Sequence, residues 1–169
     1  MPDLGFLLEF GPRVKLNLAR PTPDSALRFE LPVRGVFEFG NSVDYRGLAI
    51  EPKLSFDKRD LGQGWGFSGS AGLIYGDQQF NQFLYGVATE DATPTRHAFS
   101  AKAGLISPRI QLTLSHKLNN DVRFFGFTRT DFAGLGVNSS SPLHLQDQGS
   151  TVGFGVVWTL GRSSEMVED

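Results

Sequence analysis

Hydrophobic residues recur at every second position over most of the chain. From Phe6 the even positions read Phe6, Leu8, Phe10, Pro12, Val14, Leu16 and Leu18, against Glu9, Gly11, Arg13, Lys15 and Asn17 on odd ones. Successive side chains of a strand point to opposite faces, so this run predicts a strand with one apolar and one charged face. The next run is cleaner: Leu27, Phe29, Leu31, Val33, Gly35, Phe37 and Phe39 interleave with Arg28, Glu30, Pro32, Arg34, Val36 and Glu38. A third sets Leu48, Ile50, Pro52, Leu54 and Phe56 against Gly47, Ala49, Glu51, Lys53, Ser55 and Asp57. In a fourth, Trp65, Phe67, Gly69, Ala71, Leu73 and Tyr75 alternate with Gly64, Gly66, Ser68, Ser70, Gly72, Ile74 and Gly76. Its second face is tiny, which suits a crowded interior or a closely approaching plug. Val122 to Ala133 is strand-like with mixed faces, and Val152, Phe154, Val156, Trp158 and Leu160 close the series.

One stretch changes face. Phe99, Ala101, Ala103 and Leu105 are apolar on odd numbers, whereas Ile110, Leu112, Leu114 and Leu118 are apolar on even ones, with Ser107 and Pro108 between. Either a hairpin turns at 106–108, or a single strand over 97–118 carries a bulge whose extra residue shifts the parity. The expected number of strands is therefore seven or eight.

Composition narrows what the alternation serves. The chain has 169 residues, 20 Gly, 15 Phe and only 20% charged residues, a mixture poor for helices and rich in strand and turn formers. Its length fits one domain, expected over 1–160, with a polar tail over 161–169. Sixteen Lys and Arg against 18 Asp and Glu leave a net charge of −2, so no global basic field exists to hold nucleic acid. Cysteine is absent, which excludes thiolate zinc sites, a cysteine nucleophile and disulfides. No run of about 18 apolar residues occurs, a fact that bears on helices and leaves a membrane barrel open. Met1-Pro2-Asp3-Leu4 shows no basic segment followed by an apolar one, so the chain as given is expected to carry no export signal.

A soluble sandwich or lipocalin-like barrel alternates because one face packs a core; a transmembrane barrel alternates because one face meets lipid and the other a polar lumen. The long runs reach the roughly 9–11 residues a tilted bilayer strand needs, which favours the membrane. Glu9, Arg13, Lys15, Arg28, Glu30, Arg34, Glu38, Glu51, Lys53 and Asp57 occupy the non-greasy faces in equal numbers of each sign. They are the candidate lumen network, balanced rather than selective for one sign of ion. Trp65, Tyr75, Tyr85 and Trp158 are candidate interfacial aromatics. Counting back from the C-terminus, 133–149 is expected as an outer loop, and 20–26, 58–63 and 118–121 as periplasmic turns. The bulged-strand reading puts the long 77–96 segment outside as well.

The residues also resemble a known family. Leu8-Glu9-Phe10-Gly11-Pro12 after Met1-Pro2-Asp3-Leu4, Gly76-Asp77 leading to Leu84-Tyr85-Gly86-Val87, and Ala101-Lys102-Ala103-Gly104 carry the likeness through the middle of the chain. Phe125-Gly126-Phe127-Thr128-Arg129, Ser141-Pro142-Leu143 and the closing Val152 to Leu160 carry it to the end. Together they resemble the MltA-interacting protein and OmpV family of Gram-negative outer-membrane barrels. The resemblance implies an all-β, antiparallel up-and-down transmembrane barrel in the outer membrane, of which this chain resembles the C-terminal part, without signal peptide or first strands. It implies a non-enzymatic scaffold that needs no cofactor and binds a peptidoglycan lytic transglycosylase and a peptidoglycan synthase. The sequence departs from the usual ending of such barrels, since Trp158 is followed by Leu160 and a polar tail. Two other readings stand beside the scaffold, a small-solute channel of the same fold and a soluble ligand-binding barrel.

Little else suggests chemistry. His97, His116 and His144 stand at no metal-ligand spacing. Ser115 and His116 are neighbours on a strand and so point to opposite faces, which denies them a hydrolase partnership. Gly62, Gly64 and Gly66 precede no helix pattern and read as turn and small-face residues, not as a phosphate loop.

Overall fold

A computed structural model describes residues 6–40 and 42–160; the opening Met1-Pro2-Asp3-Leu4 and the tail expected at 161–169 lie outside the described residues. The fold is an all-β antiparallel sheet with nine strands among the described residues: β1 (Phe6–Phe10), β2 (Arg13–Ala19), β3 (Ser25–Phe39), β4 (Val43–Ile50), β5 (Lys53–Lys58), β6 (Trp65–Gly76), β7 (Gly104–Lys117), β8 (Val122–Asp131) and β9 (Gly149–Trp158). Nine replaces the expected seven or eight because two long runs are each broken at a proline. β1 and β2 both pair with one edge of β3, separated by Gly11-Pro12, and β4 and β5 both pair with its other edge, separated by Glu51-Pro52. Proline has no N–H to give a ladder. Its carbonyl still accepts: Val33 N donates to Pro12 at 2.9 Å and Leu73 N to Pro52 at 3.0 Å. The chain thus crosses the sheet seven times as a simple meander, each crossing beside the previous one.

The change of face is a bulge and not a hairpin. Ile74 faces Ser107 while Tyr75 faces Leu105, which leaves Ile106 as the extra residue. β7 begins at Gly104, so the expected strand over 97–118 is too long at its start. Residues 97–103 are engaged elsewhere: Phe99 bridges Val87, Ala101 N donates to Gln82 Oε1 at 2.9 Å, and Lys102 N donates to Asn138 Oδ1 at 2.8 Å. A second bulge, at Arg46, separates the pairs Phe37–Tyr45 and Val36–Gly47.

Burial on the two faces is the reverse of a soluble sheet. The apolar face carries Phe10, Leu16, Leu54, Leu112 and Val156 exposed, and Phe154 is 81% exposed. On the other face the central carboxylates are covered, Glu30 at 7% and Glu51 at 5%, while Glu9, Arg13 and Lys15 on β1 and β2 stay exposed. The packed apolar cluster is small: Val36, Ala49 and Phe80, with Phe83, Leu84 and Ile106 against it. Two of those belong to β3 and β4 on the polar face, where a helix covers them. On β8 and β9 the same face is filled by aromatic rings over glycines. A Cβ at Gly153 would meet the Phe127 ring at 2.5 Å, and one at Gly155 the Phe125 ring at 2.8 Å.

That helix, α1 (Gln78–Tyr85), lies in the long 77–96 segment that the bulged-strand reading puts outside. Asp77 caps it, its carboxylate accepting from Phe80 N at 2.8 Å. It sits over Gly47, Ala49 and Gly76, where small residues let it approach. A Cβ at Gly47 would fall within 2.5 Å of Phe80 N, and Gly47 has a φ of +124° that favours glycine.

The connections segregate by length. The turns 20–24, 59–64 and 118–121 lie at one end of the sheet, here the turn end, with the last residues of β9. The junction of β3 with β4 and the long segments 77–103 and 132–148 lie at the other, the loop end. The expected turns 20–26 and 58–63 shift slightly, because β3 starts at Ser25 and β5 ends at Lys58. Among the described residues β1, β2 and β9 have a neighbour on one side only.

Candidate functional site

The polar face carries a continuous chain of ion pairs. Glu9 on β1 bonds Arg34 on β3 at 3.3 Å, and Arg34 bonds Glu51, between β4 and β5, at 2.8 Å. Glu51 meets Arg109 on β7 at 3.7 Å, Arg109 bonds Asp131 on β8 at 2.6 Å, and Arg129 approaches Asp131 at 3.5 Å. The row runs across the strands and passes β6 at Gly72, which faces Arg109 in the ladder. A Cβ there would lie 2.6 Å from Lys53 Cβ and 3.1 Å from the Pro52 carbonyl oxygen. Glycine opens the path, and the tiny face of β6 is explained by it.

Two further groups flank this row. Toward the turn end, Glu30 is ringed by Arg13 at 3.4 Å, Lys15 at 3.6 Å and Lys53 at 3.9 Å, and accepts from Ser55 Oγ at 3.2 Å. Arg28 bonds Asp57 beside it, and the group borders an open polar cavity of about 200 Å³ also lined by Ser68, Ser70, Gln111 and Thr113. Toward the loop end, Arg46 bonds Glu38 at 2.7 Å and lies over the Phe83 ring, 5.1 Å from its centre. All ten charged residues singled out in the sequence therefore lie in cross-strand ion pairs. Sequence reasoning missed Arg46 and Arg109, each beside a bulge that breaks the period, and left Arg129 and Asp131 unassigned on a run with mixed faces.

Lone carboxylates at the turn end are also engaged. Lys58 Nζ donates to Asp24 at 2.7 Å and Thr22 Oγ1 donates at 2.6 Å; these bonds hold the Asp24 carboxyl down at about 2. At the loop end Asn138 exchanges two bonds of 2.8 Å with the Lys102 backbone, and Ser141 Oγ donates to the Tyr85 carbonyl at 2.7 Å. These ties fold both long segments onto α1. Asn81, fully buried, donates to the Gly76 carbonyl at 2.8 Å.

The aromatic candidates divide. Trp65 and Trp158 stand on the exposed apolar face at the turn end, and Tyr75 on that face at the loop end. Tyr85 differs: it ends α1, off the sheet, and burial pushes its phenol pKa up. Tyr45, not singled out in the sequence, stands beside Phe37 on the apolar face, ring centres 5.4 Å apart.

His116 lies tilted against Trp65 on the apolar face, ring centres 4.5 Å apart, while Ser115 faces Gly66 and Phe125 on the other. His144 pairs with Asp147 at 2.9 Å in a long segment. Among the described residues no group of three His, Asp or Glu side chains stands close enough to hold a metal ion.

Fold and site together define a class: an antiparallel β-meander whose apolar face lies open and whose polar face is laced by ion pairs. A model of the family described as MltA-interacting protein MipA matches residues 1–160, and the chain belongs to that family. Searches of curated proteins and of solved structures gave no match.

Proposed function

We propose that this chain is the wall of an outer-membrane β-barrel that acts as a scaffold, not as an enzyme, and binds a lytic transglycosylase from its turn end. The reading is carried by the reversed burial. A sheet in water hides its greasy face, whereas a lipid-facing wall exposes it and covers its charges. Seven crossings with an open apolar face, and a Phe154 that is 81% exposed, fit a hydrocarbon surround. On this reading the ten charged residues line the lumen side, Trp65 and Trp158 sit at one membrane boundary and Tyr45 and Tyr75 at the other. The turn end then faces the periplasm and the loop end the medium.

The family's name supplies the partner: a protein described by its interaction with MltA, a transglycosylase, is expected to hold that enzyme by its periplasmic turns. A peptidoglycan synthase as a second client follows from the sequence resemblance alone. Ion pairs and α1 fill the polar face, which favours a scaffold over a solute conduit.

Fractionation of cells producing the protein, followed by capture of purified transglycosylase on the detergent-solubilised chain, tests both halves. Recovery in the outer membrane with saturable capture is the expected outcome. A monomer that stays in buffer without detergent would sink the barrel.

A further inference from the structure

We infer that the mouth of the polar face at the turn end is a docking site for an acidic segment of a protein partner, with Lys117 and Arg123 at its centre. The inference rests on the scaffold reading and adds where the partner is held and by what chemistry.

β7 and β8 carry opposite charge patterns at their two ends. At the loop end Arg109 faces Asp131 and bonds it at 2.6 Å. At the turn end Lys117 faces Arg123 in the same register, the last pair before the 118–121 turn. Like charges directly opposite on neighbouring strands repel, with Cβ atoms only about 5 Å apart. Neither side chain takes part in an ion pair among the described residues, in contrast to the paired Arg109 and Arg129 of the ladder above them. Arg20 and Arg59, in the two adjoining turns, are likewise without an ion-pair partner among the described residues. Nearby carboxylates are already engaged: Asp24 by Lys58 and Thr22, and Asp60 by Gly62 N at 2.7 Å. Asp121 also has an interaction of its own.

Orientation selects the occupant. Lys117 shares parity with Arg109, Gln111, Thr113 and Ser115, and Arg123 with Phe125, Phe127 and Arg129, so both belong to the polar face. Lipid headgroups surround the apolar face and do not reach them. A chain segment entering from the turn end does, and a shallow cavity of about 230 Å³ lined by Lys117, Asn119, Asn120, Asp121, Arg123 and Val157 gives its side chains room to sit. Its charge would relieve a repulsion that the sheet otherwise keeps.

The test uses the full chain in detergent micelles and a fluorescein-labelled glutamate-rich peptide, with the glutamine version as blank. Wild type is expected to bind the glutamate peptide, with affinity falling steeply as salt rises. Lys117→Glu places opposite charges in register, so it is expected to raise the unfolding temperature while weakening peptide binding at least about tenfold. Lys102→Glu, at the loop end, is expected to leave binding unchanged. Equal binding by wild type and Lys117→Glu overturns the assignment, as does equal binding of the glutamine peptide. Binding to phosphatidylglycerol vesicles in place of the peptide would make the row a lipid contact and also overturn it. Peptide binding that emerges only after Glu165, Glu168 and Asp169 are neutralised would assign the row to the chain's own tail instead. If wild type and Lys117→Glu capture the transglycosylase equally, this inference fails and the scaffold stands; if wild type captures none, the scaffold itself fails.

Discussion

Glu51 has one carboxylate and two arginines, Arg34 at 2.8 Å and Arg109 at 3.7 Å, and its side chain is only 6% exposed. Removing a covered partner leaves charges uncompensated, so Glu51→Ala is expected to cost about 3 kcal/mol. Glu9 occupies the open end of the same row with its side chain 42% exposed, and Glu9→Ala is expected to cost no more than about 0.5 kcal/mol. Urea midpoints of the two variants in micelles check the ranking; equal losses would mean the row carries no graded energy. Asp24 makes a different prediction. Its carboxyl titrates at about 2 in the fold against 3.8 when free, so its contribution is complete above pH 3.8 and disappears as pH falls through 2. The stability gap between wild type and Asp24→Asn is therefore expected to close over that interval, read from urea midpoints at each pH.

Among the elements, strands were legible and the helix was not. Period two on β3, β5, β6 and β9 needs nothing beyond an apolar side and a polar side, and the sequence writes both out. Proline breaks at Pro12 and Pro52 stayed hidden because each proline falls on an apolar parity and leaves the alternation intact. Bulges at Arg46 and Ile106 hid Arg46 and Arg109, since one extra residue transfers everything beyond it to the other face. α1 escaped because eight residues with two leading glutamines form a marginal helix alone. Tertiary seating supplies what propensity lacks: Gln79 Nε2 donates to the Tyr45 carbonyl at 2.8 Å, and Phe80 packs on Val36 and Ala49. Gly47→Ala attacks that seat through both its backbone angle and its contact with Phe80. It is expected to cost about 1–3 kcal/mol and to speed hydrogen exchange of the α1 amides more than those of β8.

At the scale of the whole molecule the two faces predict opposite sensitivities. Phe154→Arg puts a charge on the apolar face, and in a bilayer it is expected to lower stability by about 2–4 kcal/mol. Gln111→Arg places the same group on the polar face and is expected to stay within about 0.5 kcal/mol. Unfolding of both variants in vesicles compares them, and equal tolerance would count against a lipid surround. Which side faces outward was legible in the sequence only as a pair of alternatives, because alternation is the same for a sheet in water and a wall in lipid. The burial of Glu30 and Glu51 is what supports the proposed lipid-facing wall, and it could not be read from residue order. The row of ion pairs has one more effect. Slipping a strand by a single residue turns grease inward and is opposed at every position. Slipping it by two leaves every apolar residue outward, so hydrophobicity is blind to the error. Charges are not: a shift of two in β3 takes Arg34 away from Glu9 and Glu51, and the same shift in β7 takes Arg109 away from Glu51 and Asp131. The polar face thus acts as a proofreader of assembly, catching the one mistake that the apolar face alone would accept.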